Sequence, residues 1–69
     1  MQDMTPTRDQ VRALREAIQS RQGIGITEAQ DYCASQVYVT RRAWQMWESG
    51  DRKMPPGLWE LAKIKLEID

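Results

Sequence analysis

The stretch Val39-Thr40-Arg41-Arg42-Ala43-Trp44-Gln45-Met46-Trp47-Glu48-Ser49-Gly50 decides how this chain folds. It carries a helix start, a helix stop and two unlike faces. Thr40 can accept a hydrogen bond from a free first-turn amide. Gly50 can take the left-handed conformation that ends a helix. Trp44 and Trp47, three apart, share one face, while Arg41, Arg42 and Gln45 turn the other way. A helix with tryptophans inward and guanidinium and amide groups outward is suited to lie against a polar, anionic surface.

Upstream, Thr27 with Gln30 has the spacing of a capping box and opens a second helix expected over 28–36. Ala29, Cys33, Ala34 and Val37 can face inward from it, and Tyr38-Val39 is the turn that follows. Further upstream, Thr5-Pro6 offers one start for a first helix and Thr7 with Gln10 a capping box one turn later. That helix is expected over about 6–22, with Val11, Leu14, Ala17 and Ile18 as its buried stripe and Gly23 as its end. Ile24-Gly25-Ile26 reads as a connector whose isoleucines enter the core. Residues 1–4 are expected to be disordered.

Downstream, Gly50-Asp51-Arg52-Lys53-Met54-Pro55-Pro56 reads as a basic loop, its prolines leading into a helix start. The last helix is expected over about 57–66, where Leu58, Trp59, Leu61, Ala62 and Ile64 are apolar. Ile64-Lys65-Leu66-Glu67-Ile68 also alternates with period two, a strand signal. Helix is preferred because Ala, Glu and Lys in this segment are good helix formers, and a terminal strand pairing with a second subunit stays open. The expected architecture is all-α, a compact four-helix domain spanning 5–69. Its core set is Val11, Leu14, Ile18, Cys33, Ala34, Val37, Val39, Trp44, Trp47 and Leu61.

The totals bound the function. Sixty-nine residues allow one small domain. A chain of this size buries only about 60% of its unfolded surface, so tight helix packing or a second subunit must add stability. Three Trp and no Phe give tryptophan the bulky part of the core. One Cys excludes an internal disulfide and is compatible with a reducing compartment. Without His, neither a zinc site of the usual ligand set nor His-based catalysis is available. No metal, cofactor or small-molecule ligand is expected, and an enzyme is not expected. There is no basic-then-apolar leader and no apolar run approaching about 18 residues, so the expectation is a cytoplasmic protein without a membrane span. Ten basic and ten acidic residues cancel, yet residues 40–53 hold Arg41, Arg42, Arg52 and Lys53 against Glu48 and Asp51 only. A basic edge on a neutral body fits docking in one orientation.

Two short helices joined by a tight turn, the second presenting polar side chains, form the arrangement that places a helix in the DNA major groove. Residues 27–50 resemble the helix-turn-helix of the lambda-repressor and Cro family, the xenobiotic-response-element class of regulators. Gln30, Ala34, Val39, Thr40, Trp47, Glu48 and Gly50 carry the resemblance. Trp44-Gln45-Met46-Trp47-Glu48-Ser49-Gly50 followed by Met54-Pro55 is similar to small phage and mobile-element regulators, including some anti-CRISPR-associated repressors. The resemblance implies an operator-binding domain that acts as a homodimer in the prokaryotic cytoplasm or nucleoid. It implies base or nearby phosphate contacts from Thr40, Arg41, Arg42, Gln45 and Met46. It further implies phosphate contacts from Gln30, Arg52 and Lys53, and an ion pair between Arg15 and Glu48. Three departures stand out. Tyr38 replaces the usual turn glycine, the segment before the second helix is about two residues longer, and a fifth, dimerising helix has no counterpart.

Each of these residues also has a plainer reading. Arg41 and Arg42 could be a solvated pair, although positive charge at a helix amino terminus opposes the macrodipole. Gln45 could be a surface amide rather than an adenine reader, and Met46 could touch a thymine methyl or a second subunit. Trp44 and Trp47 read as core rather than as base-stacking platforms. Arg52 and Lys53 are either phosphate contacts or an ordinary polar loop. Cys33 reads as a small buried hydrophobe. Trp59 and Leu66 are candidate dimer contacts. The resulting expectation is a sequence-specific double-stranded DNA binder, a phage or mobile-element repressor that blocks a promoter and regulates its own gene. The alternative is a protein-interaction module, such as an antitoxin or adaptor, using the apolar carboxy-terminal helix.

Overall fold

Thr7 opens the first helix. In the computed structural model, which describes residues 5–66, its hydroxyl accepts from the Gln10 amide at 3.1 Å. The Gln10 side chain in turn accepts from the Thr7 amide at 2.8 Å. This reciprocal box satisfies two amides that have no partner inside a helix and starts α1 (Arg8–Gln22). Gly23, at φ 66°, ends it. The amides of Gly23 and Ile24 both return to the Gln19 carbonyl, at 2.9 and 3.2 Å, as a left-handed carboxy-terminal cap does.

Three further helices follow: α2 (Ile26–Gln36), α3 (Arg41–Ser49) and α4 (Pro56–Lys65). No strand occurs among the described residues. The expectations for residues 1–4 and for a strand through residue 68 reach outside the described residues. The start of α2 differs from the expected one. Gly25, not Thr27, is its cap, and no side chain caps it. Thr27 lies inside the first turn and is exposed, so the Thr27–Gln30 spacing is not used as a box. Thr40 caps α3 by accepting from the Ala43 amide at 3.2 Å. Gly50 closes it at φ 87°, where a Cβ would lie 3.3 Å from the Arg8 side chain.

α1, α2 and α3 each pack against the other two, and α4 rests on α2. The radius of gyration, 11.1 Å, is about that of a packed chain of this length. Val11, Ile18, Cys33, Ala34, Val37, Trp44 and Trp47 are buried together with Met54, Ala62 and Leu66. Leu14, Val39 and Leu61, expected inside, are half-buried against this cluster. Trp44 and Trp47 meet edge to face, with centroids 5.8 Å apart, the arrangement that aromatic quadrupoles favour. Two expectations change. Leu66 is not a surface contact but a core residue, 2% exposed. Ile26 does not enter the core and is 54% exposed, because α2 begins two residues earlier than expected and carries it on the outer side. No helix of the described residues is long and apolar enough to cross a membrane.

The turn between α2 and α3 needs a left-handed residue, and Tyr38 supplies it at φ 62°. A side chain in that conformation costs about 1–2 kcal/mol. Its compensation is local. Lys65 sits 5.4 Å from the Tyr38 ring and donates to its hydroxyl at 3.2 Å. Both groups are exposed, so this contact is worth only about 0.5–1 kcal/mol. Tyr38→Gly is therefore expected to raise stability by up to about 1 kcal/mol, or roughly 4–8 °C in the melting midpoint of a domain this small. A lowered midpoint in a calorimetric scan would mean that the Lys65 contact outweighs the strain.

Candidate nucleic-acid interface

Beneath α3 lies one buried carboxylate with four donors. Arg15, from α1, donates through Nε to Glu48 Oε2 at 3.1 Å and through Nη2 to Oε1 at 2.9 Å. The Trp44 indole donates to Oε2 at 2.6 Å, and Gln30, from α2, donates to Oε1 at 3.3 Å. A carboxylate offers about four lone-pair sites, and here each has a donor. The third guanidinium nitrogen of Arg15 donates to Gln19 at 2.7 Å. Among the described residues no buried side-chain nitrogen or oxygen is left without a partner. The charge-assisted bond to Glu48 is the main reason the Arg15 guanidinium is held above its ordinary pKa, while burial opposes it and the Glu48 charge adds to it.

This hub fixes which way α3 faces. Glu48, Trp44 and Trp47 point inward, so Arg42, Gln45, Met46 and Ser49 form the outward stripe and line, with Asp51, a shallow depression of about 250 Å³. The acidic charge of Glu48 is matched internally by Arg15, so it does not offset the basic residues outside. Arg41 is different: its Nη1 donates to Asp31 of α2 at 3.1 Å, both groups being exposed. Arg42 has no ion pair or hydrogen bond among the described residues. Arg52 and Lys53 are exposed in the loop after α3. That loop is anchored by Met54, 1% exposed, and by the Arg52 amide, which donates to the Met46 carbonyl at 3.3 Å.

Of the residues read from the sequence, Arg41, Arg42, Gln45 and Met46 lie together on or beside the outer face of α3. Thr40 is exposed at its start, its hydroxyl engaged in the cap. Gln30 departs from its expected role as a surface phosphate contact. It is 8% exposed, its amide donating to Glu48 and accepting from Gln45 at 3.1 Å. Trp59 is half-buried against the core with Lys63 5.9 Å from its ring. Sequence reasoning missed three participants. Asp31 restrains Arg41. Gln19 completes the Arg15 shell. Arg12 donates to the Glu48 carbonyl at 3.2 Å, placing a cation at the negative end of α3. Gln19 lies four residues after Arg15, the spacing of helix neighbours, and so was legible in principle. Arg12 and Asp31 act across helices and had no local signal.

Comparison of the chain with protein-family models, with curated proteins and with solved structures found no match in any of the three.

Removing one partner of the hub leaves a buried charge alone, which costs about 3–5 kcal/mol, a large share of what a small domain has. Arg15→Met is therefore expected to unfold the protein or lower its melting midpoint drastically by circular dichroism. Trp44→Phe removes one bond and also empties part of the core, since Trp44 is fully buried, so its cost is about 2–4 kcal/mol. An unchanged midpoint in Arg15→Met would contradict the hub.

Cys33 is fully buried beside this network. Burial pushes its thiol up to about 12 from 9.0, with the Glu48 charge adding and Arg15 opposing. The folded state therefore keeps the thiol neutral where the unfolded chain ionises it. The contribution is intact below pH 9.0 and is lost as pH rises toward about 12. Iodoacetamide at pH 8 should label Cys33 only at the rate of unfolding, and immediate labelling of the native protein would contradict its burial.

Proposed function

We propose that this protein is a lambda-repressor-like helix-turn-helix DNA-binding protein, with α2 and α3 as the motif and α3 as the recognition helix. The observation that carries the reading is the outer face of α3. It presents Arg42, which has no ion pair among the described residues, with Gln45 and Met46, and beside it stand Asp51, the Arg41 paired with Asp31, and the exposed Arg52 and Lys53. Arginine and glutamine are the side chains whose paired donors and acceptors match guanine and adenine edges in the major groove. Arg52 and Lys53 would neutralise phosphates and fix register, while α3 reads bases. The positive φ at Tyr38 supports the same reading, since it gives the turn the backbone form that a glycine there ordinarily supplies.

The protein acts in this reading as a homodimer over an inverted repeat, with two copies of α3 about 34 Å apart in successive major grooves. Repression follows sterically, by excluding polymerase from the occupied promoter, and the regulated genes include its own. A phage or other mobile element is the expected setting. The protein-interaction alternative loses most of its surface. Leu66 and Ala62 are in the core, and Leu58 and Trp59 are partly covered, leaving Ile64, 71% exposed, as the apolar residue of α4 that faces solvent.

Selection of bound duplexes from a random pool at near-physiological salt tests the reading. An enriched inverted repeat is expected. A single unrepeated motif would contradict the dimer, and no enrichment even at low salt would contradict DNA binding. On the selected site, Arg42→Ala should weaken binding by about 1–3 kcal/mol and relax preference at one base pair. Arg52→Ala or Lys53→Ala should weaken all sequences alike, each reducing the salt slope by about 1.

A further inference from the structure

We infer that the cleft between α1 and the loop after α3 binds a phosphate group, held jointly by Arg8, Arg52 and Lys53; its use on DNA rests on the reading above. The loop has two sides, and its charges are sorted between them. Asp51 lines the shallow depression on the α3 side, with Arg42 and Gln45. Arg52 and Lys53 line a different hollow, of about 170 Å³, on the α1 side. There they meet Arg8, from the first turn of α1. No local spacing links Arg8 to this loop. Gly50 makes the approach possible: a Cβ there would lie 3.3 Å from Arg8 Cδ and 3.7 Å from its Nη1. The Arg8 side chain therefore rests over a residue that has none.

Three cations around one hollow repel one another. Among the described residues no acidic side chain lines the hollow, and none of the three cations has an ion pair. Val11, Trp47 and Met54 close its floor and are buried. A cleft of one sign over a low-dielectric floor focuses the field and concentrates anions. Two forked guanidiniums and an ammonium suit an anion whose oxygens point in several directions. Phosphate is such an anion, whereas the two oxygens of a carboxylate are satisfied by one guanidinium. Backbone phosphate held here ties α1 as well as the loop to the duplex, so the contact surface extends beyond α2 and α3.

The test has one arm with DNA and one without. Binding to the selected duplex would be measured against salt for Arg8→Gln, with Lys63→Gln removing the same charge from α4 as the control. Arg8→Gln is expected to weaken binding to all duplexes alike, several-fold, and to lower the salt slope by about 1. In an Arg52→Ala background its effect should be smaller, since the two side chains share one group. Lys63→Gln should change neither quantity. An undiminished loss in the Arg52→Ala background, or an equal loss in Lys63→Gln, would overturn the shared contact. In the second arm inorganic phosphate is titrated into the free protein at constant ionic strength and followed by nuclear magnetic resonance. The Gly50 amide and the Arg8 Nε–H should shift saturably, with several-fold weaker binding in Arg8→Gln. Saturable shifts without an Arg8→Gln effect on the duplex would assign the cleft to free phosphate and overturn its use on DNA. Failure of both arms would overturn the inference and leave the reading of α3 intact. Saturable shifts in a protein that enriches no duplex would overturn the DNA-binding reading and keep the phosphate site.

Discussion

The buried pair of Arg15 and Glu48 is the constraint on which the rest of the structure depends. A charge inside a small protein is unfavourable unless its partners are complete. Completing them ties together α1, through Arg15, α2, through Gln30, and α3, through Glu48 and Trp44. The tryptophans supply apolar area, but area alone is indifferent to small rotations. Four directional bonds to one carboxylate are not indifferent, and they set the rotation of α3 about its axis. The side of α3 that is left for a ligand follows from that rotation.

This division of labour suits a chain of 69 residues. Its core is small, and among the described residues Arg15, Gln30 and Glu48 are buried in it as polar groups. Those groups contribute orientation more than stability. Among the described residues, backbone strain is tolerated at Tyr38, where the reversal between α2 and α3 requires a left-handed residue. The exposed Lys65 contact offsets only part of it. The loop after α3 is held from within by Met54, so Arg52 and Lys53 are presented from an anchored backbone rather than from a loose tail.

Much of this was legible in the residues. Local signals act over three or four positions, and most of them are used as the sequence suggests: the Thr7–Gln10 box, the Thr40 cap, the glycine ends at Gly23 and Gly50, and the inward Trp44 and Trp47. The pairing of Arg15 with Glu48 came from a resemblance and not from spacing, since 33 residues separate the two. The errors share a cause. Thr27–Gln30 has the spacing of a cap, but the connector is short enough that α2 starts at Ile26, which moves Gln30 into the interior. Leu66 looked like a free apolar residue at the end of a helix, yet α4 folds back on α2 and buries it. Met54 sat in a segment read as a basic loop, and its neighbours concealed its role. Tertiary packing decided each of these, and no local pattern encodes it.

The most direct test of the central claim is a residue-by-residue map of where duplex DNA touches the protein, from amide shifts of labelled protein titrated with DNA at near-physiological salt. Shifts should concentrate on Arg41, Arg42, Gln45, Met46, Arg52 and Lys53. The Gln30 side-chain amide should move less, and the Trp44 indole least. A map centred on α4, or on the exposed side of α2 around Ile26, would contradict the assignment of α3 as the reading helix. An unchanged spectrum at saturating DNA would contradict the function itself.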